Sequence, residues 1–264
     1  MKPNLIVNAA AGRMGRRILA LAAESGQFDI VGAIETAEHP DLGKDAGILA
    51  GAGELNIPLE SVMPHSADVL IDFSLPEAAD GVLRHCVENA IALVIGTTGL
   101  SKTQMEGVRN AAAKIPLLQA TNMSVGMNIL FSIIGKVAAL AGPEYDVEIV
   151  EAHHRFKRDA PSGTALTLAE NIAAATGRAF PDCLVHGRHG TDTLRSKGTI
   201  GMHAIRAGDI TGEHAVMLST TGETLTLSHS AHSRENFVRG ALRAALWLSG
   251  RPPGLYSMQD VLGL

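Results

Sequence analysis

The residues with the clearest potential for chemistry lie in one run, EAHHRFKRDAPSGTA, at positions 151–165. It combines two adjacent histidines, His153 and His154, with the cation Lys157 and a proline- and serine-containing start of a helix. An imidazole titrates near neutral pH and can donate or accept a proton, while an ammonium group supplies positive charge or a second acid. The run therefore predicts acid–base chemistry close to an anion.

The order of these residues argues against a metal site. Neighbouring residues on a strand point to opposite faces, so His153 and His154 are poorly placed to bind one metal together. One imidazole can serve in proton transfer while the other makes a different contact. Ser162, Gly163 and Thr164 start a helix, where N–H groups and two hydroxyls suit a substrate carboxylate. Each residue also has an ordinary explanation, such as a core hydrogen bond for an imidazole or helix capping for the serine.

A second chemical feature is the turn AAAGRMG at 9–15, between a predicted strand and a predicted helix. Such a turn lets a pyrophosphate approach backbone N–H groups and the positive end of the helix. The dinucleotide fingerprint is incomplete, because Ala9 and Ala11 stand where its first two glycines belong, and only Gly12 and Gly15 remain. Alone, the turn also fits a tight strand–helix connection without a ligand.

An acidic residue strengthens the prediction of a nucleotide site. Glu35 ends the second predicted strand at the spacing where an acid binds the adenosine ribose hydroxyls, although a solvated strand end would look the same. A carboxylate there repels a 2′-phosphate, and Thr36 supplies no compensating cation, so the sequence favours NADH. Arg13 keeps NADPH use open, because a guanidinium can bind a phosphate.

Ligands bind at the carboxyl edge of a doubly wound sheet, so the predicted cofactor contacts come from the turns that follow its strands. They are Ala9, Ala10, Ala11, Gly12, Arg13, Met14, Glu35, Gly96, Thr97, Thr98, Ala120, Thr121, Asn122 and Met123.

The elements that must position these residues alternate in the first half of the chain, which is typical of a parallel sheet. Strands are predicted at 5–9, 29–35, 69–73, 93–95 and 117–120. Helices are predicted at 13–25, where Gly26 ends the first, and at 76–89 and 101–113.

The rhythm changes near residue 124. A long apolar helix at 125–141, a strand at 146–152 and a helix at 163–176 indicate a second domain. Three alternating segments then predict an antiparallel meander, at 201–207, 214–220 and 224–229. A closing helix at 234–248 is apolar on one face and can pack back on the first domain.

The predicted fold class is therefore α/β. A Rossmann-like, doubly wound parallel sheet domain that binds a dinucleotide comprises residues 1–124 and 234–264. A smaller α+β domain with an open mixed or antiparallel sheet comprises residues 125–233, and we expect it to bind the substrate and form the oligomer.

Composition excludes several classes of function. The 264 residues suit about two domains. A formal net charge of −5 and 3% aromatic residues argue against nucleic acid as a partner, since neither a positive field nor stacking platforms are available. Apolar runs are too short for a membrane helix, and the start lacks a signal-peptide pattern, so we expect a cytoplasmic protein. Two cysteines outside any C-x-x-C pair predict neither disulfides nor zinc.

Seven motifs together resemble the 4-hydroxy-tetrahydrodipicolinate reductase (dihydrodipicolinate reductase) family of bacteria and plants. They are GRMG at 12–15, IDF at 71–73, VIGTTG at 94–99, NMSVG at 122–126, the run at 151–164, GTIG at 198–201 and RAGDITGEH at 206–214. They extend over nearly the whole chain, and the histidine run is the most specific. Two residues depart from the family pattern: Ala9 replaces the first glycine, and Thr36 stands where NADPH-using relatives often carry arginine.

The resemblance implies a dinucleotide domain completed by the C-terminal helix, a substrate domain whose open sheet builds a homotetramer, and hinge closure. By that likeness His153 is the proton donor or acceptor and Lys157 the second acid. The substrate carboxylates would be held by His154, Ser162, Gly163 and Thr164. The implied reaction is the NAD(P)H-dependent reduction of 4-hydroxy-tetrahydrodipicolinate to tetrahydrodipicolinate with loss of water, in diaminopimelate and lysine biosynthesis.

The residues also leave two other functions open. One is a related two-domain dehydrogenase that acts on another small carboxylate or amino acid. The other is a nucleotide-binding regulatory protein without turnover, which the incomplete glycine turn would suit. A small dicarboxylate as substrate agrees best with the basic loop on an otherwise acidic protein.

Overall fold

The computed structural model describes residues 1–264, which divide into two compact units. The first comprises Met1–Val125 and Glu235–Gly263, and the second comprises Gly126–Arg234. Strands and helices are numbered along the chain. None of the helices combines the length and the apolar character that crossing a bilayer requires.

The first unit contains a seven-stranded sheet in which every pair of neighbouring strands is parallel. Its strands are β1 (Asn4–Asn8), β2 (Asp29–Ile34), β3 (Leu59–Glu60), β4 (Val69–Asp72), β5 (Ala92–Ile95), β6 (Pro116–Gln119) and β12 (Gly254–Tyr256). Their order is β12-β6-β5-β4-β1-β2-β3, so the chain reverses its direction of travel across the sheet between β1 and β4. In doubly wound sheets, ligands bind at the carboxyl ends of the strands where such a reversal occurs.

Helices cover this sheet. They are α1 (Arg13–Ser25), α2 (Ala46–Ala50), α3 (Ala79–Glu88), α4 (Lys102–Ala112), α7 (Glu235–Leu248) and α8 (Met258–Leu262). A 3-10 turn, Pro76–Ala78, precedes α3, so the helix predicted at 76–89 is in fact two elements. The sequence predicted the ends of α1 and α4 well because both carry strong caps. Gly26 adopts the left-handed conformation after α1, and Ser101 forms a capping box with Gln104 before α4.

Helix α7 lies against the loop that follows β6. A Cβ atom at Gly240 would collide with the carbonyl oxygen of Met123, so only glycine allows this approach. The apolar face of α7 joins the core that contains Leu5, Val7 and Ile71. The closing helix is therefore part of the first unit.

The second unit has helices α5 (Val125–Ala141) and α6 (Gly163–Thr176) on one face of a five-stranded sheet. The strands are β7 (Asp146–His153), β8 (Leu184–His186), β9 (Ile200–Arg206), β10 (Gly212–Thr220) and β11 (Glu223–Ala231). Their order is β11-β10-β7-β9-β8.

The prediction of an antiparallel meander is wrong in one respect. β10 and β11 form an antiparallel hairpin, but β9 pairs with β7 in parallel, and β7 separates β9 from β10. The crossover from β7 through α6 buries the apolar side of the helix on the sheet and leads to the edge strand β8, and β9 then fills the place between β8 and β7, parallel to both. The sheet is therefore mixed, which agrees with the predicted fold class.

Candidate functional sites

The acid–base residues of the second unit are arranged by the alternation of β7. Residues two apart on a strand share a face, so Glu151 and His153 project to the same side. Glu151 Oε2 lies 2.6 Å from His153 Nδ1. The glutamate is only 1% exposed, whereas the histidine side chain keeps 12% of its surface. A buried carboxylate thus holds an imidazole that still reaches solvent.

Arg206 completes the surroundings of this carboxylate. It is the register partner of His153 on β9, and it donates from Nη1 to Glu151 Oε2 (2.8 Å) and from Nη2 to Oε1 (2.7 Å). The Ser162 N–H donates to Oε1 at 3.0 Å. Burial alone would raise the pKa of Glu151, but the hydrogen bonds from Arg206, His153 and Ser162 outweigh it, and the pKa is lowered. Glu151 is therefore a carboxylate at neutral pH.

His214 contacts this group from β10, the strand that flanks β7 on the side opposite β9. It is paired with Glu151 in the register of β7 and β10, its Nε2 lies 3.1 Å from Ser162 Oγ, and its ring stands edge-on to that of His153 with centroids 5.1 Å apart. Burial lowers the pKa of His214 to about 3, so the ring is neutral. Its Nδ1 is buried without a hydrogen-bond partner.

Burial also lowers the pKa of His153, although the hydrogen bond to Glu151 opposes this effect. The positive charges of Lys157 and Arg206 lower it further. Because Nδ1 is bound to Glu151, Nε2 is the ring nitrogen left for proton exchange. A ring with a lowered pKa is mainly neutral at neutral pH, and its imidazolium form gives up a proton readily, so Nε2 can act as a base or, once protonated, as an acid.

The loop after β7 carries the other predicted residues. Its backbone is held to the end of β9 by the bonds Ala207 N–H to His153 O (3.0 Å) and Arg155 N–H to Gly208 O (3.1 Å). Lys157 Nζ lies 2.9 Å from a carboxylate oxygen of Asp159. The amine is thus held in the same loop as the imidazole, and both lie close enough for the lysine charge to affect the pKa of His153.

Two further contacts involve this loop, one between aromatic rings and one hydrogen bond from Arg206. The His154 ring lies 6.5 Å from the ring of Phe156, centroid to centroid, and Phe156 is largely exposed. Arg206 Nη2 also donates to the Asp159 carbonyl oxygen at 2.6 Å. The arginine that binds Glu151 therefore fixes the far end of the loop as well.

The three residues at the start of α6 that were predicted to bind a carboxylate have different environments. Ser162 is 2% exposed, its N–H is bound to Glu151, and its hydroxyl accepts the Ala165 N–H as the helix cap while contacting His214. Ser162 therefore acts as the helix cap, and its contact with a substrate stays a prediction. Gly163 is exposed with open space beside it, and Thr164 is the second residue of the helix.

In the first unit, the turn after β1 is strained at its first position. Ala9 has φ of 55°, in the left-handed region that favours glycine, which explains why the fingerprint has a glycine there. Its carbonyl oxygen accepts the Gly12 N–H at 3.0 Å. A Cβ at Gly15 would collide with that same oxygen, so α1 begins this close to the turn only with glycine at 15.

Glu35 connects two turns at this edge of the sheet. Its Oε1 accepts the Ala11 N–H at 3.2 Å, and its Oε2 accepts the Thr36 N–H at 3.1 Å. Arg13 is exposed at the start of α1 and makes no ion pair within the protein. The edge thus combines a positioned carboxylate with a cation beside the helix N-terminus.

The remaining predicted cofactor residues differ in what they can offer. Thr97 is buried and its hydroxyl donates to Asp72 Oδ2 at 2.8 Å, whereas Thr98 is exposed. Met123 is buried in the core of the unit, so only its backbone is available to a ligand. Thr121 is exposed, and the Asn122 Oδ1 accepts the Ser124 N–H at 2.8 Å.

Sequence reasoning missed four residues with clear roles. Glu151, Arg206 and His214 surround the imidazole, and Asp72 binds both Thr97 and the Asn8 amide, the latter at 2.7 Å. The Glu-x-His spacing on a strand was a usable signal for Glu151. The other contacts join residues distant in the sequence. No cluster of three or more His, Cys, Asp or Glu side chains is arranged to hold a metal ion.

Comparisons with known proteins agree along the whole chain. The family model described as "Dihydrodipicolinate reductase, N-terminus" matches residues 3–123, and "Dihydrodipicolinate reductase, C-terminus" matches residues 126–262. The chain is 46% identical to the 4-hydroxy-tetrahydrodipicolinate reductase of Syntrophus aciditrophicus, over 98% of this chain and 97% of the relative. It is also 46% identical to the enzyme of that name from Alkalilimnicola ehrlichii, over 100% of both chains.

Among solved structures, a dipicolinate-bound dihydrodipicolinate reductase from Paenisporosarcina sp. TG-14 has a TM-score of 0.73 at 22% identity. The match covers 98% of this chain and 99% of that one, and it shows a common fold.

Proposed function

The chain belongs to the dihydrodipicolinate reductase family, and from this premise we propose that it reduces 4-hydroxy-tetrahydrodipicolinate to tetrahydrodipicolinate with NAD(P)H, in the diaminopimelate and lysine pathway. The reaction takes up one hydride and one proton and releases one water. One observation carries the proposal beyond the family name. The His153 ring is bound at Nδ1 by a buried carboxylate and keeps Nε2 for a proton, in a loop that also holds Lys157.

The first unit has the groups that a nicotinamide dinucleotide needs. The turn at 9–12 and the glycine at 15 bring backbone close to the start of α1, where the helix dipole favours a pyrophosphate. Glu35, held by two N–H groups, has oxygen lone pairs left for the adenosine ribose hydroxyls. When bound, the cofactor supplies the hydride. Contacts from Thr98, Thr121 and the backbone of the remaining predicted residues extend this proposal.

The same carboxylate supports a preference for NADH. A 2′-phosphate placed near Glu35 would be repelled, and Thr36 offers no positive charge to compensate. Arg13 supplies a cation beside the helix start, and NADPH can therefore be used as well. We propose NADH as the preferred donor and NADPH as a weaker one.

In the second unit, each group has a distinct task. We propose that His153 Nε2 holds the proton that the substrate takes up, and that Lys157 stabilises negative charge or acts as the second acid. The substrate is a dicarboxylate, and His154, with the first N–H groups of α6 at Gly163 and Thr164, would bind its carboxylates. Ser162 supports this helix start from below through its cap and its bond to Glu151.

We also propose that the protein is a homotetramer and cytoplasmic. Helices cover only one face of the sheet in the second unit, and the other face includes Val150, Ile205 and Met217, of which the last two are large and exposed. A second copy is the expected cover for this face. Both cysteines are buried free thiols, which agrees with a reducing compartment.

The test is a coupled assay in which the substrate is generated enzymatically and NADH and NADPH oxidation are compared side by side. We expect turnover by the wild type and none by a His153→Gln/Lys157→Ala double variant. His65→Gln/Lys102→Ala is the matched control, because both of its residues are exposed in the first unit, and it should retain full activity. Full activity of the first double variant, or NADH binding without oxidation by the wild type, would refute the proposal.

A further inference from the structure

Glu151 is a buried charge that the reaction does not use directly. Its Oε2 is an acceptor only, since the carboxylate is ionised, and it lies 2.6 Å from His153 Nδ1. A hydrogen bond between them requires the proton to be on Nδ1. A neutral His153 with this contact therefore carries its lone pair on Nε2.

We infer that Glu151 is a positioning residue that fixes His153 as the Nδ1–H tautomer, so that Nε2 is the only ring atom at which the proton is gained and lost. Its catalytic consequence rests on the proposed function, but the state of the ring does not. The opposite tautomer would carry a proton on Nε2 permanently, and its exchangeable lone pair would face the interior. That ring could not deliver a proton to a substrate by changing its charge.

Arg206 keeps Glu151 in the charge state and orientation that this role requires. Its two bonds to the carboxylate keep Glu151 ionised and aimed, and its charge weakens the pull of Glu151 on the imidazolium. The ring is thus oriented by a carboxylate without being held permanently as a cation. Arg206 Nη2 also binds the Asp159 carbonyl oxygen, so one guanidinium fixes both the partner of His153 and the loop of Lys157.

The other charges that face the ring are few. Lys157 and its partner Asp159 lie in the loop after β7, and Arg206 approaches from β9. His214 on β10 packs edge-on against the ring and is neutral. Glu151 is the anion in direct contact with the ring, and only its removal takes away the acceptor at Nδ1.

Glu151→Gln separates this role from that of a simple buried ion pair. The amide has nearly the same size, and its oxygen can still accept from Ser162 and one arm of Arg206. Its NH₂ group then faces His153 Nδ1 and one donor, Arg206 Nη1, and the neutral ring must change to the Nε2–H tautomer to accept from it. The reverse amide orientation would set the NH₂ against two donors, the Ser162 N–H and Arg206 Nη2, and is the poorer choice.

The tautomer is measured by two-bond nitrogen–proton correlation spectra of protein labelled with ¹⁵N-histidine, with the His153 signals assigned from the His153→Gln variant. We expect wild-type His153, when neutral, to show Nδ1–H, and Glu151→Gln to show Nε2–H. Glu148→Gln is the matched control, because Glu148 lies on the opposite face of β7 and also binds arginines and a histidine. It should leave the His153 tautomer unchanged.

Activity provides the second readout. Glu151→Gln should lower kcat about 100-fold or more, with little change in the KM for NADH, as expected when the proton-exchanging imidazole is held in the wrong tautomer. The pH above which the remaining activity declines should move lower, because Glu151 raises the pKa of His153. Glu151→Asp keeps a carboxylate and should recover part of kcat.

The outcomes are distinguishable. An Nε2–H tautomer in the wild type would overturn the inference, and this measurement needs no variant to fold. A Glu151→Gln protein with the wild-type tautomer and pH profile would also overturn it. If the tautomer changes as expected but wild-type protein does not oxidise NADH with the substrate, the proposed function fails and the assignment of the ring stands.

Discussion

Replacing Ala9 with glycine should stabilise the protein, against the usual effect of adding glycine. Ala9 has φ of 55° at the start of the turn between β1 and α1. A residue with a Cβ costs about 1–2 kcal/mol in this region, because the Cβ crowds a carbonyl oxygen. Glycine removes that strain.

The expected magnitude follows from two opposing effects. Relief of strain contributes about 1–2 kcal/mol, while the greater freedom of glycine in the unfolded chain costs about 0.4–1 kcal/mol. The net gain in the free energy of unfolding is then about 0–1.6 kcal/mol, with a central value of about 0.8 kcal/mol. Because the turn no longer stores strain, we also expect Ala9→Gly to bind NADH at least as tightly as the wild type.

The assay is urea unfolding followed by tryptophan fluorescence. The chain has one tryptophan, Trp247, which lies on α7 in the first unit with Arg251 stacked 4.1 Å above its ring and therefore reports on the unit that contains Ala9. Ala90→Gly is one control: Ala90 is exposed with φ of 54°, so it should stabilise similarly without affecting nucleotide binding. Ala11→Gly is the other: its φ is not positive, so the variant should lose about 0.4–1 kcal/mol.

A downward shift of the urea midpoint in Ala9→Gly, like the one expected for Ala11→Gly, would refute this expectation. Such a result would mean that the turn holds alanine without strain. If Ala90→Gly raised the urea midpoint and Ala9→Gly did not, a left-handed alanine would still be strained in general, but the turn after β1 would hold Ala9 without that strain.

Other expected outcomes concern the cofactor, acid stability and packing. Thr36→Arg should raise kcat/KM for NADPH relative to NADH, and an unchanged ratio would contradict the electrostatic role given to Glu35. Burial raises the pKa of Glu148, but hydrogen bonds from two arginines and a histidine hold it at about 2, below its ordinary 4.5. The stability that its charge provides is complete above about pH 4.5 and is lost as the pH falls towards 2, so the difference in Tm between wild type and Glu148→Gln should shrink over that range. Gly15→Ala should lower the free energy of unfolding by about 1–3 kcal/mol, because its Cβ meets the Ala9 carbonyl oxygen, and a wild-type urea midpoint would contradict this.

Local patterns were sufficient for most elements of the fold. Helices α1, α5 and α6 have the predicted bounds, and the strands of the parallel sheet differ by one residue or so at their ends. These elements are marked by caps, glycines and β-branched runs, whose effects act within a few residues. The short elements α2, β3, β8, β12 and α8 were missed because they carry little periodic signal.

The sequence by itself determined the fold class, the two chemical regions and the family, since each depends on residue types and on spacings along the chain. Strand pairing was decided by tertiary structure: the placement of β7 between β9 and β10 depends on which surfaces are buried, and β9 showed no local sign of it. The same pairing brings Arg206 and His214 to Glu151 from 55 and 63 residues away along the chain. Hydrogen bonds and burial act over a few ångströms in space, so the protonation of His153 is set by neighbours that only the folded chain assembles.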